Sequence, residues 1–286
     1  MLWNEGNLTD AADLYAVVLD ARRQRLGDRD PSVIQTAEHV ARLLTVAGND
    51  TKFQELARVF PEGWTIRADA LASRRLWPEA LAAASKAVEL RPSDHSGYHL
   101  MAPLLVQKKD QAAYEELCTR ITTQFAGTTD PRVADRMAKD CLILPRPGAD
   151  LKVPAELAET AVTRGRGDSG SLPHFQCCKA LVEYRQGHWE AAADWAQRVS
   201  GTSNRCVFAE ACAILAMTQF QLKQTQDSRA NLNKCGEVIQ TQLAERKYVE
   251  LDQDWRDLII AQALQSEAKQ LIDGEPSIAR PANLPQ

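Results

Sequence analysis

The sequence predicts an all-α protein built from stacked helix–turn–helix repeats. Three observations support this fold class: the composition, the spacing of apolar residues, and the positions of Pro and Gly. The chain has 286 residues, with 42 Ala and 31 Leu against 26 Val and Ile together. Ala and Leu favour helices, whereas strands recruit β-branched and aromatic side chains, so the composition disfavours a β-rich fold.

The clearest repeat unit runs from Pro61 to Asp94. Its pattern positions are Trp64, Ala68, Leu71, Ala80, Ala84, Ala87 and Pro92. Within each half, the apolar positions recur every three or four residues, which is typical of one helix face. Pro78 fits the first turn of a second helix, and Pro92 ends that helix. Small side chains at Ala68 and Ala80 allow two antiparallel helices to approach closely.

This unit resembles the tetratricopeptide repeat (TPR), a 34-residue helix–turn–helix module. The match continues at Tyr98 and Ala102, and again at Ala180, Gly187 and Ala192. The resemblance implies a right-handed α-solenoid that ends in a C-terminal capping helix. It also implies a concave groove, lined by the first helix of each repeat, that binds a peptide or protein.

The first 50 residues read as two helical stretches, Thr9–Leu26 and Ser32–Ala47, with Asp30 and Pro31 at the start of the second. Gly6 and Gly48 look equivalent, each closing a helix before a polar turn. We therefore expect the chain to begin inside a truncated first helix. The unit resembles the longer repeat of kinesin light chains.

Six segments follow from these patterns. They are the kinesin-light-chain-like repeat at 1–50, TPR repeats at 51–128, a degenerate repeat at 129–166, TPR-like repeats at 171–240, capping helices at 241–273, and a disordered tail at 274–286. Three prolines and few apolar residues in the last segment predict that disorder.

A second resemblance covers residues 98–272. The phrases AAYEELCTRITTQFAGTTDPRVADRMAKDCLILP and DWRDLIIAQALQSEAKQLI are similar to C-terminal TPR arrays of large bacterial serine/threonine protein kinases. In that family the repeats sense or dock partners. The sequence has no Gly-rich loop after a strand, no His-Arg-Asp and no Asp-Phe-Gly, so we expect no kinase activity. The resemblance implies a regulatory segment in a kinase signalling system.

Charge and cysteine usage exclude several classes of protein. The formal net charge is −4, which leaves no basic surface of the kind that binds nucleic acid. There is no secretory signal and no apolar run long enough to span a membrane. Seven cysteines predict buried reduced thiols rather than a disulfide framework. We expect a cytoplasmic protein without cofactor or metal, either a monomer or a weakly self-associating one.

The groove is expected to bind a protein or peptide through side chains of the first helices. By position in the repeats, the candidate binding residues are Asp69, His99, Arg132, Asp135, Lys139, Leu181 and Tyr184. No catalytic residue is assigned in this interpretation.

An enzyme is the alternative hypothesis. Gly167-Asp168-Ser169-Gly170 matches the letters around a serine-hydrolase nucleophile, and a cysteine could also act as one. Such chemistry needs a general base and an oxyanion hole in the right geometry, and four matching letters do not supply them. A loop between repeats explains the same Gly, Asp and Ser residues. His174 near Cys177 and Cys178 lacks the paired spacing of a zinc site.

Overall fold

A computed structural model describes residues 5–245 and 254–274, and this part of the chain is helical, as predicted. Within these ranges there are fourteen α-helices, one 3-10 helix and no strand. The α-helices are α1 (Glu5–Leu26), α2 (Pro31–Val46), α3 (Asp50–Val59), α4 (Gly63–Ser73), α5 (Trp77–Leu90), α6 (His95–Lys108), α7 (Gln111–Phe125), α8 (Pro131–Asp140), α9 (Lys152–Arg164), α10 (Leu172–Gln186), α11 (Trp189–Gln197), α12 (Arg205–Gln221), α13 (Thr225–Glu245) and α14 (Trp255–Asp273). The 3-10 helix, Arg198–Gly201, follows α11.

The chain divides into two compact units, and the boundary falls within α6. Among the described residues, the first unit comprises 5–104. In it α1 packs on α2, α2 packs on α3 and α4, and α4 packs on α5. Its core contains the buried side chains of Ala12, Leu19, Val33, Ala37, Val40, Ala41, Leu44, Phe53, Ala57 and Phe60.

Among the described residues, the second unit comprises 105–245 and 254–274. Consecutive helices form the pairs α8–α9, α10–α11 and α12–α13. The first helix of each pair also packs on the first helix of the next, because α10 contacts both α8 and α12. Helix α14 continues this series by packing on α12 and α13. Its apolar face, led by the fully buried Trp255, forms part of the core.

Asp30, as predicted, and Asp130 cap the helices that follow them. Asp30 accepts a hydrogen bond from the Ser32 backbone N–H at 2.8 Å, and Pro31 occupies the first turn of α2. Asp130 accepts from two backbone N–H groups at the start of α8. These acceptors satisfy N–H groups that have no partner within the helix, which explains why the helices begin at these residues.

Five helix ends share one closing turn. The first or second residue after each helix has a positive φ, and the next backbone N–H bonds to a carbonyl five residues before it. The positive-φ residues are Gly48, Arg75, Lys109, Gly187 and Lys223. This is the Schellman geometry, in which a left-handed residue reverses the chain after a helix. Arg75 and Lys109 are 34 residues apart (109 − 75).

The small and apolar repeat positions are buried as predicted. Those with at most 6% of their surface exposed are Ala68, Leu71, Ala80, Ala87, Tyr98, Ala102, Ala180 and Ala192. Gly187 is half-buried, and Pro92 is exposed while its carbonyl accepts a hydrogen bond from the Tyr98 hydroxyl at 3.0 Å.

Trp64 is only half-buried, whereas the repeat pattern predicts a core residue. Its ring packs edge-on against Phe53, with the ring centroids 5.0 Å apart. The Arg67 guanidinium lies 4.5 Å from the centre of the Phe53 ring. Phe53, rather than Trp64, is the fully buried aromatic residue here. It belongs to α3, which the sequence interpretation did not identify as a helix.

The expectation that Gly6 closes an earlier helix is wrong, because Gly6 lies inside α1. Glycine costs only about 1 kcal/mol in a helix interior, and burial of Leu8 and Ala12 on the same helix offsets such a cost. At the other end, residues 241–245 continue α13 and α14 follows as the expected final helix. Residues 246–253 and the predicted tail from 275 onwards lie outside the described residues.

Candidate functional site

The predicted binding residues of the first unit lie on α4 and α6. Asp69 is 9% exposed and its Oδ2 atom lies 2.8 Å from Nη2 of Arg42 on α2. This ion pair joins α2 to α4. His99 is half-buried on α6. Contact of Asp69 and His99 with a ligand stays a prediction.

In the second unit, Arg132 is the exposed member of the predicted set. Its guanidinium forms an ion pair with Asp168, with Nη2 and Oδ2 2.7 Å apart. Hydrogen bonding from Arg132 lowers the pKa of the Asp168 carboxyl. The ion pair joins the start of α8 to the loop that precedes α10.

Asp135 and Lys139 belong to a buried cluster of charged groups that spans three helices. We call it the Lys139 cluster, and it consists of Asp135 and Lys139 on α8, Cys177 on α10 and Glu210 on α12. The Lys139 ammonium lies 3.4 Å from Oε2 of Glu210, and these two side chains are 3% and 1% exposed. The Cys177 thiol donates a hydrogen bond to the same oxygen at 3.4 Å.

Burial and mutual charge set the protonation of the Lys139 cluster. Burial raises the pKa of Glu210 to about 7, against the opposing effect of the Lys139 ammonium. Burial also raises the pKa of Asp135. Burial alone would lower the pKa of Lys139, but the carboxyl groups of Glu210 and Asp135 outweigh it and raise that pKa well above its ordinary value. The lysine therefore stays charged while Glu210 titrates near neutral pH.

Two oxygens of this cluster have no hydrogen-bond donor among the described residues. They are Oδ1 of Asp135 and Oε1 of Glu210, and both are buried. An unsatisfied buried acceptor costs about 1–3 kcal/mol, so these two oxygens lower the stability of the folded chain. It is closed to solvent, so it can bind protons but offers no surface to a peptide.

A separate cavity of about 300 Å³ opens beside the loop that follows α8. We call it the Arg146 cavity. Its lining residues are Cys141, Leu142, Leu144, Pro145, Arg146, Pro147, Gly148, Ala149, Leu151, Tyr184, Arg185, Trp189 and Glu267. Tyr184, predicted as a groove residue, thus borders a cavity, whereas the predicted Leu181 is 1% exposed and does not line it.

Arg185 holds one wall of the Arg146 cavity in place. Its guanidinium donates to the backbone carbonyls of Leu142, at 3.0 and 3.1 Å, and of Ile143, at 3.2 Å. The same group forms an ion pair with Glu267 on α14, with Nη2 and Oε2 2.7 Å apart. A planar guanidinium is suited to this role because it offers several N–H donors in a fixed geometry.

Arg146 contributes a cation to the cavity. Its Nη2 donates to the Cys141 carbonyl at 3.3 Å, whereas its Nε is buried without an acceptor among the described residues. The cavity lining also includes the Tyr184 and Trp189 rings, whose centroids are 5.3 Å apart. Burial raises the pKa of Tyr184 to about 12, so its hydroxyl stays protonated at neutral pH.

The residues named in the enzyme hypothesis lie apart from this cavity, except for Cys141. Ser169 is exposed in the loop between α9 and α10. All seven cysteines are free and buried, as predicted. Burial raises the pKa of Cys177 and of Cys178 well above the ordinary thiol value, which disfavours their thiolates. Cys118 differs, because a hydrogen bond with Cys141 lowers its pKa.

Sequence reasoning missed Glu210, Arg146 and Arg185. Glu210 had a readable signal, since it interrupts the apolar run CVFAEACAILAM. A charge within such a run is either a break in the apolar face or a buried group with a partner. The arginines gave no comparable signal, because Arg146 and Arg185 bind backbone carbonyls and Glu267, the acidic partner of Arg185, is 82 residues away in the sequence.

No protein-family model matches the chain, and no curated protein matches it either. Within residues 5–245 and 254–274, every helix is too short or too polar to serve as a membrane span.

Proposed function

We propose that the chain is a TPR-like α-solenoid that binds a protein or peptide and has no catalytic activity of its own. The observation that carries the proposal is the repeated hairpin closure. Arg75 and Lys109 adopt the same left-handed turn 34 residues apart, which is the length of a tetratricopeptide repeat. The contacts of α10 with α8 and α12 also support the proposal, since solenoid repeats contact their sequence neighbours.

Small residues strengthen the case for stacked hairpins. Ala68, Ala80, Ala180 and Ala192 occupy pattern positions and are completely buried. A long side chain at such positions would hold two helices apart, so alanine here favours the close hairpins of this repeat class. Stacked hairpins expose an extended surface along their first helices, and repeat proteins bind partners on surfaces of that kind.

The ligand would contact exposed side chains of first helices in this proposal. Arg132 is the best placed of the predicted set, because its side chain is 64% exposed on α8. Asp135 and Lys139, in contrast, are buried. Their proposed role is to hold α8 against α10 and α12. A narrower form of the proposal is that the partner belongs to a bacterial serine/threonine kinase system, as the sequence resemblance implies.

Selection of peptides from a displayed random library tests binding. A selected peptide would be titrated against the wild-type chain and Arg132→Glu by calorimetry. The matched control is Arg229→Glu, an exposed arginine on the second helix α13. We expect at least about tenfold weaker binding to Arg132→Glu and little change in the control, because tenfold corresponds to 1.4 kcal/mol. Failure to select any peptide, or equal losses in both variants, would contradict the proposed groove.

The kinase form has its own test. The DNA that precedes the codon for Met1 either encodes an in-frame set of kinase motifs or does not. Such motifs support a regulatory segment fused to a kinase, whereas an in-frame stop codon close to Met1 removes the fused form.

A further inference from the structure

Helix α1 carries an exposed apolar stripe on the side away from the core of the first unit. Leu14 and Val17 are 69% and 68% exposed, and Val18 is 42% exposed. On the other side of the same helix, Ala12 and Leu19 are buried at 1% and 4% exposure. Large apolar side chains that cluster on one exposed helix face are characteristic of an interaction surface.

Charged residues bracket this stripe. At 3.6 residues per turn, Asp10, Ala21 and Arg25 lie with the three apolar side chains within a sector of about 100°. We call these six residues the α1 stripe: Asp10, Leu14, Val17, Val18, Ala21 and Arg25. Its acidic residue lies towards the start of α1 and its basic residue towards the end.

The two charged side chains of the α1 stripe have no ion-pair partner among the described residues. Asp10 and Arg25 are exposed, and neither makes an ion pair with another described residue. Neighbouring charges differ, because Asp13 pairs with Lys52 at 2.5 Å and Arg22 donates hydrogen bonds to residues of α2. The intramolecular contacts of α1 therefore leave one acidic and one basic group available on the apolar face.

The order of these residues is self-complementary. Suppose that a second copy of α1 packs antiparallel, with the two-fold axis between Val17 and Val18. Val17 of each copy then faces Val18 of the other copy. In the same register Leu14 faces Ala21, and Asp10 faces Arg25 on both sides of the axis. A two-fold interface requires such self-complementarity, since the same patch is used by both subunits.

We propose that the α1 stripe is the interface of a two-fold symmetric dimer of this chain. The contact is one antiparallel helix pair about 27 Å long, because residues 9–26 of the two copies overlap in this register and each residue rises about 1.5 Å. A single helix pair falls at the small end of protein interfaces, so dimer formation is weak and depends on concentration. This inference is independent of the proposed peptide binding.

Sedimentation velocity on the full chain tests the dimer over about a hundredfold range of concentration. The wild-type chain is expected to shift from monomer to dimer within that range. Val17→Asp introduces a carboxylate at the two-fold axis and should raise the dimer dissociation constant at least about tenfold. The control Leu90→Asp changes a 44% exposed residue on α5 and should leave the dissociation constant unchanged. Circular dichroism checks that both variants keep their helices.

A charge swap tests the register. Asp10→Arg alone and Arg25→Asp alone should each weaken the dimer, since each places like charges opposite one another. The double variant should restore wild-type association, because the pair is then inverted but complementary. A monomer at every concentration would overturn the proposal. A dimer insensitive to Val17→Asp, an open series of larger oligomers, or no rescue by the double variant would also overturn it.

Discussion

Lys139 and Glu210 face each other in the interior of the second unit, with the ammonium nitrogen 3.4 Å from the nearer carboxylate oxygen. They belong to α8 and α12, and both helices pack on α10. Asp135 adds a second buried carboxyl group to the environment of the same ammonium. A buried cation therefore compensates two carboxyl groups, and the stability of this unit depends on it.

Replacement of this cation should destabilise the protein strongly. Lys139→Met leaves two buried carboxyl groups without a counter-charge, and such a change costs about 3–5 kcal/mol of unfolding free energy. Urea denaturation at neutral pH measures the loss. The control Lys152→Met changes an exposed lysine on α9 and should stay within about 0.5 kcal/mol of wild type. A loss as small as that of the control would show that Lys139 does not compensate these groups.

Stability should also depend on pH through Glu210. Burial raises its pKa in the folded state from 4.5 to about 7, so the folded chain binds this proton more tightly than the unfolded chain does. The contribution of this group to stability is complete at low pH and is lost as the pH rises from 4.5 through 7. Over the whole interval the loss amounts to roughly 3 kcal/mol, since one pKa unit corresponds to 1.36 kcal/mol.

Glu210→Gln isolates this pH effect, because glutamine does not titrate. The unfolding free energy of the variant should rise relative to wild type as the pH increases from about 4 to about 8. Asp135 remains in both proteins and cancels from the difference. Glu55→Gln, which changes an exposed residue of α3, is the control. A wild-type-minus-variant difference that stays constant over this pH range would refute the assignment.

Gly165 should tolerate no side chain, for steric reasons. A Cβ atom there would overlap the Phe175 ring and lie 2.5 Å from the carbonyl oxygen of Ala161. Overpacking of this kind costs about 1–3 kcal/mol, so Gly165→Ala should lower the urea midpoint. Gly167 is a matched control in the same loop, because a Cβ there meets no atom within 4 Å. Similar midpoints for the two alanine variants would contradict the close approach of α9 and α10.

The shared closing turns predict opposite effects of glycine and alanine. Lys109 has φ of 61° and Gly187 has φ of 81°, a region in which a Cβ atom is strained. Lys109→Gly should stabilise the folded chain by about 0.5–1 kcal/mol. The change removes about 1–2 kcal/mol of backbone strain, and the larger backbone entropy that glycine loses on folding offsets part of this gain. Gly187→Ala should destabilise it by about 1 kcal/mol. Thermal unfolding of both variants measures the two signs, and equal signs would exclude this explanation.

Local signals made most of the secondary structure predictable. Asp30 and Pro31 start a helix through a hydrogen bond and a fixed φ, both of which act over a few residues. The Ala and apolar spacing between Trp64 and Pro92 likewise predicted a helix pair, and α4 and α5 occupy those residues. The failures at Gly6 and at α3 occur where the local helix signals are weak, and packing of Ala12 and Phe53 into the core stabilises the helices there.

The helical class and the burial of the small repeat residues followed from the residues alone, because capping and helical periodicity depend on near neighbours. Only the tertiary structure decided that Lys139 meets Glu210 and that Arg185 binds the carbonyls of Leu142 and Ile143. These partners are distant in the sequence, and their approach depends on how whole helices pack. A charged residue in a helical pattern is compatible with solvent or with a buried partner until that packing is known.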